Sequence, residues 1–429
     1  MQHKKILTIL VFAIVVLALA ATLAGIFTEK GAGTYEFTSI HGEEVLIYGK
    51  GIYRNMAAVS APDGIAQDIV TLVLAIPLLI ISFLWAKKGS LKGRLLFAGV
   101  VFYFLFTYLL YMMLIMYNEL FLIYVALASL SFFVFVITMI SFDLEKLSNR
   151  FNQKLPVRFI GGFLIFAAVA VGLNWLGRIV PPLLDGSIVP QGLEHYTTLP
   201  VQGLDLAFVL PTAFLSGVLL IKRNNYGYLM APVFLNFLFI MMTAIAAKVF
   251  GQSLQGAEGV LPVLIVFSLF ALTAAFCSLL IMRNLKEVII DMIRVTDKTD
   301  MDKVLQLRYQ VFVEEQGVSA AIERDNDDRI ADHVLVQIKE EAVGCGRIVF
   351  KDDYGKIGRV AVAHSHRKKG IGSKVCRELI KIAKEKGCKR IILHAQHHSE
   401  QFYKKIGFKS VGDIFMEAGI KHIKMELNI

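Results

Sequence analysis

Arg367, Gly370 and Gly372 stand in the spacing Arg-x-x-Gly-x-Gly, with Lys368, Lys369 and Ile371 between them and Ser373 directly after. Those residue types suit a phosphate. Glycines let backbone approach an anion closely, free N–H groups at a helix start point toward it, and the helix dipole favours negative charge there. Arg367, Lys368 and Lys369 add positive charge. A Rossmann dinucleotide loop requires three ordered glycines and an acidic residue about 20 positions on, and only two glycines are present. A Walker A loop fails for want of Gly-Lys-Ser/Thr.

A strand must deliver such a loop and a helix must start from it. The run Lys356–Val362 is strand-like, and the segment after it is an amphipathic helix carrying Val375, Leu379, Ile380, Ile382 and Ala383. Around this unit the β-branched content predicts further strands at Val288–Val295, His333–Ile338, Val343–Phe350, Arg390–Ala395, Lys409–Phe415 and His422–Leu427. Helices fit at 299–310, 371–386 and 399–406. The interleaving describes one α/β or α+β domain over 287–429, a common size for a single core.

The pattern, its strand–helix context and the later Phe402-Tyr403-x-x-Ile-Gly407-Phe408 resemble the GCN5-related N-acetyltransferase (GNAT) superfamily. The resemblance covers essentially 288–429. Arg308-Tyr-Gln-Val-Phe-Val-Glu-Glu-Gln316, Asp325, His333, Gly346-Arg347, Ile357-Gly-Arg-Val360, Ala395-Gln396 and Glu417-x-Gly-Ile-x-His422-x-x-Met425 look like its small bacterial ElaA-like branch. It implies an α/β (α+β) acyltransferase domain with a mixed, mostly antiparallel sheet. It also implies that acetyl-CoA, or another acyl-CoA, lies where the strand at 356–362 splays from the strand at 390–395. Backbone at Val360 and Val362 would then hold pantetheine, and Arg367 through Ser373 the pyrophosphate.

Acyl transfer from a thioester to an amine needs a neutral nucleophile, a stabilised oxyanion and a proton for the departing thiolate. Tyr403 matches the family's tyrosine before Gly-Phe and is the expected proton donor, the alternative being that it packs beside Phe402 and Phe408. For the base, Glu315 ranks first among Glu315, Glu314, His333, His394 and His422. Arg347 and Arg359 either orient an acidic group or close ordinary salt bridges. The run Glu323–Arg329 lacks the spacing of a calcium loop and reads as a solvated connection. No metal is expected: His397 and His398 lack a matching Cys or carboxylate set, and the four cysteines match no zinc pattern or disulfide framework.

The rest of the chain differs in kind. The whole is 56% hydrophobic and 19% charged, against about 25% charged in an ordinary soluble protein, and the excess lies in residues 1–286. Ile6–Phe27 is a charge-free run that spans about 33 Å as a helix, against a hydrocarbon core of roughly 30 Å. Its length favours an uncleaved anchor over a secretory signal. Seven further runs follow near 66–86, 95–117, 120–141, 159–180, 204–221, 228–248 and 260–282, giving an all-α polytopic membrane bundle of about eight transmembrane helices.

One set of connections carries fourteen Lys/Arg (Lys4, Lys5, Lys87, Lys88, Lys92, Arg94, Lys146, Arg150, Lys154, Arg158, Lys222, Arg223, Arg283, Lys286). The other carries five: Lys30, Lys50, Arg54, Arg178 and Lys248. The bias places both chain ends, and the C-terminal domain, in the cytoplasm of a cell membrane. Of the external segments 28–65 and 181–203, the first reads as a short hairpin covering helix ends, the alternative being that either loop binds a ligand. Asp68, Arg178, Asp205 and Lys248, near external span ends, read as interfacial.

The expected function is a membrane-embedded N-acetyltransferase that acetylates a primary amine on the cytoplasmic side, with acetyl-CoA, an amine and the bilayer as partners. The alternative is a transporter or sensor whose C-terminal domain binds CoA species to regulate it. The basic residues form no concentrated patch, which argues against nucleic acid.

Overall fold

The computed structural model describes residues 4–254, 257–286, 290–338, 340–351 and 354–429. The chain divides into two compact units, Met1–Glu287 and Val288–Ile429. The boundary expected near 287, and the first residues of the strand expected from Val288, lie outside the described residues.

Among the described residues, the first unit contains eight helices long and apolar enough to cross a membrane: α1 (Lys4–Phe27), α2 (Ala61–Lys87), α3 (Leu91–Leu114), α4 (Phe121–Ile140), α5 (Val157–Asp185), α6 (Pro200–Ile221), α7 (Asn225–Leu254) and α8 (Val260–Asn284). Both α2 and α6 contain a π-turn, at Thr71–Ala75 and Asp205–Val209. Each is followed by a proline, Pro77 or Pro211. Proline lacks the N–H that continues an α-helical ladder, and the wider turn absorbs the missing bond. Small residues set close crossings: a Cβ on Gly161 of α5 would lie 2.6 Å from the Gly217 carbonyl oxygen of α6.

Between α1 and α2 a hairpin pairs β1 (Tyr35–Thr38) with β2 (Glu44–Ile47), the short hairpin expected in 28–65. His195 Nε2 donates to the Asn55 carbonyl at 3.0 Å and His41 Nε2 to the Tyr196 carbonyl at 3.3 Å, so the two long connections are laced together. The interfacial reading of Asp68 does not hold. It is 1% exposed inside the bundle, bonded to two tyrosines. Asp205 accepts from Trp175 Nε1 at 2.9 Å, and Arg178 donates to the Gln191 and Gly192 carbonyls.

Among the described residues, the second unit is built on a seven-stranded mixed sheet in the order β3 (Ile290–Arg294), β4 (Asp332–Ile338), β5 (Glu341–Phe350), β6 (Tyr354–Val362), β7 (Arg390–Gln396), β9 (Ile420–Asn428), β8 (Lys409–Glu417). All neighbours are antiparallel except β6 and β7. Alternation along the strands divides the core. Val334, Val336, Val343 and Ile348 pack with Val375 and Leu379 of α10 (Ile371–Glu385), while Leu335, Cys345 and Ala361 pack with Val304 and Leu307 of α9 (Lys298–Arg308).

Two glycines let α10 sit close to the sheet. A Cβ on Gly344 would lie 2.4 Å from Ile371 Cγ2, and one on Gly346 would lie 2.7 Å from Val375 Cγ1. Ile371 opens the helix that follows the turn Arg367–Gly370, so Gly344→Ala is expected to displace that turn and to cost about 1–3 kcal/mol by overpacking. Thermal unfolding of the variant, beside its acetyl-CoA affinity, measures both effects.

Candidate active site

The parallel pairing of β6 with β7 runs from Tyr354↔Arg390 to Ile357↔Leu393 and stops there, although both strands continue. Beyond that point β6 is bulged. Its register against β5 shifts between Cys345 and Arg347, and Arg359 takes a positive φ of 52°. The two strands part around a cavity of about 800 Å³. Gly358–Val362 form one wall, and Leu393, His394 and Gln396 form the other. Among the described residues no strand pairs with the backbone groups of β6 that face this gap, so they can pair with the amides of an extended chain.

At the mouth, Lys368 has φ 59° and Gly370 has φ 81°, and α10 begins at Ile371. The N–H groups of the first helical turn have no intrahelical partner and make an anion-binding end. Gly372 is held close on two sides: a Cβ there would lie 3.2 Å from Phe402 Cζ and 3.6 Å from Val362 Cγ2. Arg367, Lys368, Gly370, Ile371, Gly372 and Ser373 line the cavity with Val360 and Val362. Ile371 puts its side chain into the core, which leaves only its backbone for a ligand. Lys369 does not line the cavity. Its Nζ donates to the Ser365 carbonyl at 2.6 Å, bracing the turn from outside.

Tyr403 lies on α11 (Glu400–Lys404), lines the cavity and packs edge-on against Phe402 and Phe408 at ring separations of 4.8 and 6.0 Å. Burial pushes its phenol well above the ordinary value, and the nearby Cys376 thiol acts in the same direction. The hydroxyl therefore keeps its proton at neutral pH, the state a proton donor needs.

Glu315 is placed differently from its expected role. It ends the π-turn Tyr309–Glu315 after α9 and is outside the cavity lining. Both of its oxygens are taken by Arg367, one from Nη1 and the other from Nη2 at 2.6 Å. That guanidinium holds the carboxyl below the usual range, which makes Glu315 a weak base and a brace for the loop Arg367–Ser373. Arg367 Nε also donates to the Val362 carbonyl at 3.1 Å, tying the loop to the end of β6. His394, in contrast, lines the cavity from β7 and pairs through Nδ1 with Glu417 Oε2 at 2.7 Å. The fixed Nδ1 leaves Nε2 as the atom for a proton transfer.

The acidic run Glu323–Arg329 is not solvated as expected. Side chains of Glu323 and Asp328 are 7% and 8% exposed, and Arg308 is 1% exposed between them. Arg308 Nε donates to Glu323 at 2.5 Å and Nη1 to Asp328 at 2.6 Å. Arg347 donates to Asp325 and Asp328, and Arg359 to Asp325 and to the Ile322 and Glu323 carbonyls. Arg347 and Arg359 are thus structural ion-pair members, and the network pins the bulge of β6 to the segment walling the cavity. Burial alone would raise Asp328, but the Arg308 and Arg347 guanidiniums overcome it and bring its carboxyl to about 2.

Removing that charge leaves Arg308 with Glu323 and Arg347 with Asp325 as their remaining carboxylate partners, so Asp328→Asn is expected to cost about 1–3 kcal/mol in thermal or urea unfolding. The pH sign follows. Asp328 is depressed on folding, so its contribution is complete above the unfolded carboxyl value of about 3.9. It is lost as pH falls from there toward about 2.

Sequence reading missed the His394–Glu417 pair and the Arg308-centred network. Their partners are 23 residues apart in the first case and 15 or 20 apart in the second. The signal available was an unusually dense set of acids and arginines on neighbouring predicted strands and turns.

Residues 295–429 match the family model described as an acetyltransferase (GNAT) domain. The chain is 40% identical over 120 residues to the uncharacterized N-acetyltransferase YjcF of Bacillus subtilis, covering 28% of this chain and 86% of that one. It is 34% identical over 128 residues to protein ElaA of Escherichia coli, covering 28% of this chain and 83% of the relative. Among solved structures, Escherichia coli ElaA is similar at 28% identity and a TM-score of 0.30, over 33% of this chain and 99% of that one.

Proposed function

We propose, from the premise that the chain belongs to the GNAT acetyltransferase family through its C-terminal domain, that it is a membrane-embedded enzyme acetylating a primary amine on the cytoplasmic side. The observation that carries this reading is the anion loop Arg367–Ser373 at the mouth of the gap between β6 and β7. Pyrophosphate of acetyl-CoA sits on the N–H groups of that loop, with Arg367 and Lys368 adding charge. Pantetheine runs along the free edge of β6 at Val360 and Val362, which brings the thioester toward Tyr403 and His394.

His394, oriented by Glu417, takes the proton from the attacking ammonium or its water. The amine nitrogen bonds to the thioester carbon, the oxyanion collapses, the C–S bond breaks, and Tyr403 gives its proton to the departing thiolate. The membrane reading rests on eight helices of sufficient length and apolarity and on the fourteen-to-five distribution of basic residues. Acetyl-CoA is then available on the face where the domain lies. Protein lysines, polyamines, amino sugars, antibiotic-like amines and lipid-linked amines all satisfy the chemistry.

The base assignment is tested by thiol release from acetyl-CoA in the presence of a panel of these amines. His394→Gln is expected to lower turnover by about 100-fold or more. Glu315→Gln is expected to change turnover by less than about tenfold and to act mainly on acetyl-CoA affinity through Arg367. The reverse ranking returns the base to Glu315.

A further inference from the structure

We propose that Asp68 is a reversible proton-binding site inside the helical bundle of the first unit. The carboxylate, on α2, accepts from the Tyr53 hydroxyl at 2.5 Å and from the Tyr111 hydroxyl at 3.1 Å. A phenol both donates and accepts. Ionised Asp68 takes both hydrogen bonds; protonated Asp68 becomes a donor, and one phenol turns to accept from it. The cluster thus has a satisfied arrangement for each protonation state, which an arginine partner would not allow.

Two further observations point to the same place. Gln67 Oε1, on the residue before Asp68, and the hydroxyl of Tyr108, whose ring contacts Tyr111, are buried without a hydrogen-bond partner among the described residues. The π-turn Thr71–Ala75 starts three residues after Asp68, and such turns concentrate at functional sites.

The remaining facing groups close around the carboxylate. From α1, Gly25 abuts the carboxylate so closely that a Cβ would lie 1.8 Å from Asp68 Oδ2. On α3 and α4 the rings of Tyr108, Tyr111 and Tyr124 are in mutual contact, 5.3 Å apart for Tyr111 and Tyr124 and 5.6 Å for Tyr108 and Tyr111. Tyr103 of α3 bonds Thr71 and Gln67. These side chains enclose the carboxylate, which is 1% exposed, and a proton needs no further space. The charged groups that act on the site are Lys248 of α7, which interacts with both Asp68 and Asp63, and Asp63 itself, held by Gln252 at 3.2 Å. An ionisable residue within a span is costly to keep there and is the default place to look for function.

The test is infrared difference spectroscopy on the full chain in phosphatidylcholine vesicles, titrated from about pH 5 to pH 9. A reversible band of a protonated carboxyl is expected, absent in Asp68→Asn and shifted in midpoint by about one pH unit in Tyr111→Phe. A band that persists in Asp68→Asn, or no titrating band in the range, overturns the proposal. Should Asp68→Asn not yield monodisperse protein, Tyr111→Phe decides, and an unmoved midpoint overturns it.

Discussion

Gly370→Glu is expected to raise the acetyl-CoA dissociation constant by more than about 100-fold, equivalent to roughly 2.7 kcal/mol. Two effects combine. Gly370 has φ 81°, and a side chain in that left-handed region costs about 1–2 kcal/mol. The larger effect is electrostatic, because the new carboxylate stands where the loop's N–H groups would receive pyrophosphate. A Cβ at Gly370 meets nothing within 4 Å, so the surrounding packing tolerates the substitution. Gly370→Lys carries the same backbone cost with the opposite charge. Equilibrium dialysis of labelled acetyl-CoA against both variants separates strain from charge: a much larger loss for Glu than for Lys is expected, and equal losses would remove the anion from this position.

Tyr403→Phe is expected to lower kcat by about 100-fold to 10,000-fold while KM for acetyl-CoA moves only a few-fold. The ring remains, so the packing against Phe402 and Phe408 is kept, and only the hydroxyl proton is lost. Burial holds that proton on the phenol at neutral pH, and the expected loss is of a group used when the thiolate leaves rather than when substrate binds. Steady-state thiol release with any amine that supports turnover reads both parameters. An unchanged kcat assigns Tyr403 to packing alone.

Much of this arrangement is legible in the sequence because it is local. Arg367, Gly370 and Gly372 sit within six residues, and the strand before and helix after them announce themselves by period. The eight apolar helices are legible for the same reason, since length and composition suffice. Glu315, His394 and the Glu323–Arg329 run were harder. Each takes its meaning from a partner brought in by the sheet: Arg367 is 52 residues from Glu315, and Arg347 reaches Asp325 and Asp328 from a neighbouring strand. An acidic run and an ion-pair network have the same composition, so spacing along the chain does not distinguish them. Asp68 was misread as interfacial because it lies near a span end, while the loop residue Tyr53 that covers it comes from another part of the chain.

The most direct measurement is hydrogen–deuterium exchange of the full chain with and without acetyl-CoA. If the cavity between β6 and β7 holds the acyl donor, acetyl-CoA slows exchange at the N–H groups of Gly358–Val362 and of Lys368–Ser373. Unchanged exchange at both segments under saturating acetyl-CoA, or protection confined to the helical bundle, would contradict it.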